Sequence, residues 1–113
     1  MNFSSELIKG TLKTIVLKLL SDYDRMYGYE LTQKVKELTG GQIQITEGAL
    51  YPTLHALEKE GILITESEYI GKRVRKYYKL SASGKKQARV KLEELSNFMG
   101  TMVKLLDVQP KIS

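Results

Sequence analysis

Between Ile62 and Leu80 the sequence leaves the helical hydrophobic period that governs the rest of the chain. Ile62-Leu63-Ile64-Thr65 opens a strand that continues to Ile70, and Val74 to Leu80 reads as another, rich in tyrosine. Gly71-Lys72 between them suits a tight hairpin turn. The segments on either side repeat at helical spacing, so the chain must seat one hairpin among helices.

Upstream, Ser4 or Ser5 can cap a first helix running to about Leu20. Its stripe is Ile8, Leu12, Ile15 and Leu19, widened by Leu7, Val16 and Leu20. Ser21-Asp22-Tyr23-Asp24 reads as a break. A second helix starts near Tyr27-Gly28-Tyr29-Glu30, buries Leu31, Val35 and Leu38, and stops at Gly40-Gly41. Gln42-Ile43-Gln44-Ile45 alternates as a short strand would. Thr46 then caps a third helix reaching about Glu60, with Ala49 or Leu50, Leu54 and Leu57 inward and Gly61 as its stop. Pro52 lies in its first two turns, where loss of an N–H does least damage, so a bend is allowed for. Ser81 caps a last helix to about Asp107, and Pro110 lies in the polar tail. The expected fold is mainly α with a small β-hairpin. Residues 1–80 form a winged helix-turn-helix domain, 81–107 a C-terminal dimerisation helix and 108–113 a tail.

A chain of 113 residues suits one compact domain and leaves much of its surface exposed, some of which a second copy could cover. Lys and Arg number 18 against 13 Asp and Glu, giving a net charge of +5 that favours a polyanionic partner without proving one. No cysteine is present, which excludes disulfides and thiolate metal sites. Met1-Asn2-Phe3-Ser4-Ser5-Glu6 lacks the order of a signal peptide, and no apolar stretch approaches the ~18 residues of a membrane span. A cytoplasmic protein with no membrane partner is expected.

Double-stranded DNA makes two demands on such a fold. The third helix must offer polar or aromatic groups to the major groove, and the hairpin must offer cations to phosphates. With Leu50, Leu54 and Leu57 inward, Glu47, Gly48, Tyr51, Pro52 and His55 face outward, and Thr46 stands at the helix start. Gly48 would permit close backbone approach. Lys72, Arg73, Arg75, Lys76 and Lys79 fall in the hairpin with no acid among them. In an alternating strand Arg73 and Arg75 share one face and Lys72 and Lys76 the other. Lys72, Arg73 and Arg75 are the expected wing contacts. A solvated, charge-protected edge hairpin is the bland alternative. Glu66 and Glu68 on the outgoing strand balance the returning one, so the basic surface is expected at the wing tip.

In the last helix Ala88, Leu92, Leu95, Met99, Met102 and Leu106 alternate in steps of four and three, with Phe98 and Leu105 beside them. This seam, with Leu12 of the first helix, is the expected homodimer interface. Its methionines and phenylalanine make a deformable apolar surface that could open a ligand cavity.

Other function classes find little support. His55 is the one histidine, it has no cysteine partner and no acid placed beside it by local spacing, and Glu93-Glu94 point to different helix faces. Neither an enzyme, a metal site nor a bound cofactor is expected. A winged-helix interaction module without DNA binding is the alternative, and it need not keep Lys72, Arg73 and Arg75 together with an outward Tyr51.

Several stretches resemble the PadR-like transcriptional regulators. Gly10-Thr11-Leu12 with Val16-Leu17-Lys18-Leu19-Leu20 is similar to the family's first helix, and Tyr27-Gly28-Tyr29-Glu30-Leu31 to its second. Glu47-Gly48-Ala49-Leu50-Tyr51-Pro52-Thr53-Leu54, continuing to Leu57-Glu58-Lys59-Glu60-Gly61, resembles its recognition helix. Arg75-Lys76-Tyr77-Tyr78-Lys79-Leu80-Ser81 with Gly84 resembles the end of the wing and the start of the last helix. The resemblance implies a dimeric repressor of the short-tailed branch, tolerant of Pro52 and joined through its C-terminal helix. It also implies an effector, small and hydrophobic or phenolic, of unspecified identity. With no tryptophan in the chain, an indole-lined drug sandwich known in one branch is not expected.

Overall fold

The computed structural model describes residues 3–107. The expected tail, Pro110 included, lies outside them. Four helices, α1 (Ser5–Asp22), α2 (Gly28–Leu38), α3 (Glu47–Lys59) and α4 (Ala82–Leu106), surround a small sheet of β1 (Met26–Tyr27), β2 (Leu63–Ile70) and β3 (Arg73–Leu80). The sheet is antiparallel in the order β1-β3-β2, with Met26 opposite Tyr78, Leu63 opposite Leu80 and Ile70 opposite Arg73. This is a winged helix, mainly α.

Local chemistry sets the boundaries. Ser4 caps α1 by accepting from the Leu7 N–H. The helix runs past Leu20 because Ser21 bonds back to the Leu17 carbonyl at 2.7 Å and Asp22 pairs with Lys18 at 3.2 Å. At α2 the Glu30 carboxylate accepts from the Tyr27 N–H at 3.1 Å, half of a capping box. Both α2 and α3 end in a Schellman motif. Gly41 N–H donates to the Lys36 carbonyl and Gly40 N–H to that of Glu37; Ile62 and Gly61 do the same for Leu57 and Glu58. The glycines at 40 and 61 supply the left-handed φ, +59° and +77°, that these endings need. Gly71, at φ +62°, does so for the hairpin turn.

The core joins Leu12, Val16, Leu17, Leu19 and Leu20 of α1 to Leu31 and Val35 of α2, Leu50, Leu54 and Leu57 of α3, and Met26, Leu63, Tyr78 and Leu80 of the sheet. Helix α1 touches α3, β3 and α4, so it is covered on more than one stripe. That explains why Leu17, off the expected stripe, is fully buried, whereas Leu7, at the free end, is exposed; Leu38, expected inside at the last turn of α2, is exposed as well. Gln42–Ile45 is a correction: the segment forms no strand. Its side chains alternate as expected, with Ile45 buried and Gln44 exposed, but no neighbouring strand offers a hydrogen-bond ladder. Strand β1 is the opposite case, a two-residue segment too short to show a period and created by pairing with Tyr77 and Tyr78.

Helix α4 stretches the molecule to 54 × 30 × 23 Å. Its first turn is fastened to the α3–β2 junction. Ser81 N–H donates to the Ile62 carbonyl at 2.9 Å, its hydroxyl reaches the Gly61 carbonyl at 2.7 Å, and the same oxygen caps Gly84 N–H at 3.0 Å. A Cβ on Gly84 would stand 2.1 Å from the Ile62 carbonyl oxygen, so only glycine allows this approach.

Candidate nucleic-acid interface

The inward set of α3 is as the sequence predicts, with Leu50, Leu54 and Leu57 buried. Glu47, Gly48, Tyr51, Pro52 and His55 are therefore on its exposed side. Thr46 caps the helix, its hydroxyl oxygen accepting from Ala49 N–H at 3.2 Å. Pro52 is accommodated inside an unbroken helix. A Cβ on Gly48 would meet nothing nearer than the Thr46 Oγ1 at 4.0 Å. Nothing among the described residues therefore requires glycine there.

Tyr51 is only partly free. A Cβ on Gly28 would lie 2.5 Å from the Tyr51 hydroxyl oxygen, so the ring rests on the bare backbone at the start of α2. Burial, with Glu47 as a lesser cause, raises its phenol above the ordinary value of 10.0. Its ring lies 6.1 Å from that of His55. The close approach of Tyr51 to α2 thus depends on the missing side chain at Gly28.

The hairpin cations divide by partner. Lys76 projects to the body side and pairs with Glu58 of α3 at 3.4 Å; Lys79 pairs with Glu66 at 3.0 Å. Arg75 lies over the Tyr27 ring, 4.1 Å from its centroid. Lys72 and Arg73, at the exposed tip, enter no ion pair among the described residues. Glu66 balances the returning strand as expected, through Lys79, whereas Glu68 makes no ion pair with that strand among the described residues. Both bond Arg25, which sits before β1 and was not legible as part of the wing. Lys79 first, then Arg25, hold the Glu66 carboxyl below its ordinary value of 4.5. An isolated arginine between Asp24 and Met26 carries no sequence pattern, and only the β1–β3 pairing brings it to the hairpin.

The α4 seam also divides. Leu12 and Ala88, expected at a subunit contact, are both interior to the protomer. Leu92 and Leu95 are half-buried and close a groove of about 240 Å³ with Ile15, Leu19, Val35 and Ile43. Beyond it Phe98, Met99, Leu105 and Leu106 are exposed and Met102 half-buried, an apolar tip that no other described residue covers. No helix among the described residues is long and apolar enough to cross a membrane.

Residues 16–90 match the transcriptional regulator PadR-like family. An uncharacterized protein X of Lysinibacillus sphaericus is 38% identical over 72% of this chain and 74% of its own length. Transcriptional regulator Rv3488 of Mycobacterium tuberculosis is 36% identical over 65% of this chain and 68% of its own. A transcriptional regulator from Clostridium thermocellum superposes with a TM-score of 0.76 at 32% identity, covering 90% of this chain and 96% of that one. Bacillus subtilis PadR in complex with operator DNA gives a TM-score of 0.66 at 31% identity, covering 73% of this chain and 46% of that one.

Proposed function

The chain belongs to the PadR-like family of transcriptional regulators, and from that premise we propose that it is a DNA-binding repressor acting as a homodimer on a near-palindromic operator. The observation that carries the reading is an α3 face with few tasks inside the protomer beside a wing tip whose Lys72 and Arg73 pair with no acid among the described residues. The likeness to a PadR bound to operator DNA supports it. Thr46, Glu47, Gly48, Tyr51, Pro52 and His55 face the major groove, with backbone approach at Gly48. Lys72, Arg73 and Arg75 meet phosphates, which supply most of the salt-dependent affinity and fix the register of α3.

In this reading residues 1–80 bind DNA and the α4 seam joins two copies. Leu92, Leu95, Phe98, Met99, Met102 and Leu106 form the contact, and Leu12 and Ala88 support it from beneath. Two α3 helices then enter successive major grooves about 34–36 Å apart. The groove bounded by Leu92 and Leu95 continues into that seam. A small hydrophobic or phenolic effector bound there would favour a helix separation unsuited to the operator, to the extent that it prefers that state. Hydroxyl-radical footprinting on the protein's own promoter tests the proposal. Two protected tracts about 10 base pairs apart on one face of the duplex are expected; a single tract, or none, would refute the dimeric reading.

A further inference from the structure

Glu68 stands directly opposite Arg75 in the β2–β3 ladder. Opposite charges at such positions attract and stabilise the ladder when they pair. Here Glu68 bonds Arg25 instead, and Arg75 lies over the Tyr27 ring. Arg25 is itself well fixed. One guanidinium nitrogen donates to Glu66 at 3.0 Å, another to Glu68, and its plane covers the Tyr77 ring at 4.0 Å. Tyr77 and Tyr27 meet edge to face at 5.6 Å. The outer face of the sheet thus carries a row, Arg75–Tyr27–Tyr77–Arg25, with the acids gathered at the Arg25 end. Glu66 keeps a second cation, Lys79, on its other oxygen; Glu68 has Arg25 alone among the described residues.

We propose that Arg25 is a positioning residue for the wing: by holding Glu68 it keeps Arg75 off its cross-strand carboxylate and available to phosphate. The inference rests on the DNA-binding function proposed above. Arg25 need touch no nucleic acid. Without it, Glu68 loses its counter-ion, and the cation facing it across the ladder is Arg75. Pairing there would draw Arg75 from Tyr27 and cancel one phosphate contact.

The test uses the full chain as wild type, Arg25→Ala, Glu68→Gln and the double variant. Each is titrated with promoter DNA at several salt concentrations. Proton NMR without DNA follows the Arg75 side-chain protons, which the Tyr27 ring current shifts upfield. Arg25→Ala is expected to bind roughly tenfold more weakly, to lose about one from the salt slope, and to lose the Arg75 ring shift. Adding Glu68→Gln should restore all three, because no carboxylate then competes for Arg75. A double variant as weak as Arg25→Ala would overturn the proposal, since Arg25 would then act on DNA or on the fold directly. An unchanged Arg75 ring shift in Arg25→Ala would overturn it equally. If wild type binds no promoter DNA, the functional reading fails, and the NMR comparison still decides the role of Arg25.

Discussion

Arg73 and Lys76 sit three residues apart on one strand and have different occupations. Lys76 faces the body and pairs with Glu58, whereas Arg73 stands at the tip and enters no ion pair among the described residues. A phosphate role for Arg73 predicts that Arg73→Ala weakens binding to all DNA sequences nearly equally and lowers the salt slope by about one. Loss of preference among sequences with the slope unchanged would contradict that role. Glu66 gives a prediction in pH. Lys79 and Arg25 hold its folded-state value below 4.5, so it stays charged in the folded protein where the unfolded chain already takes up a proton. Its stabilising contribution is complete above 4.5 and is lost as the pH falls through the folded-state value. Glu66→Gln should therefore flatten the acid side of the stability profile, read as a smaller difference in urea midpoint between about pH 6 and about pH 3.5. An unchanged profile would show that these partners do not shift it.

At the scale of elements, the start of α4 is pinned to the end of α3 through Ser81 and Gly84. The carbonyl of Ile62 is backbone and cannot move aside cheaply. Gly84→Ala should cost about 1–3 kcal/mol, the usual range for forcing an atom into packed space, and should lower the thermal midpoint accordingly. A neutral result would mean that α4 starts elsewhere. What was legible in the sequence follows the same division between local and non-local chemistry. The α3 cap at Thr46, its Gly61 ending and the Gly71-Lys72 turn are local, and each was readable from neighbouring residues. The pairing of Met26-Tyr27 with Tyr77-Tyr78 is non-local, so β1 left no period to read. Arg25 was missed for the same reason. Gln42–Ile45 shows the converse: alternation reports burial on one side, and a strand also needs a partner. The exposed face of α3 was readable because leucine spacing fixes helix phase, whereas the pose of Tyr51 over Gly28 depends on how two helices meet.

For the whole molecule the apolar tip of α4, exposed among the described residues, is where the proposed dimer is tested. Phe98 is 58% exposed, so a charge there disturbs little within the protomer. Phe98→Asp should give a folded monomer by sedimentation, with helix content retained and DNA binding weakened; an intact dimer would place the interface elsewhere. The central claim, that the α3 face and the wing tip together read DNA, is tested most directly by titrating the purified protein against its own promoter DNA and against scrambled DNA of equal length at several salt concentrations. Tight, sequence-dependent binding at two chains per site, weakening steeply with salt, is the predicted result. No binding to either duplex even at low salt would contradict the account and point to a winged helix that serves protein contacts alone.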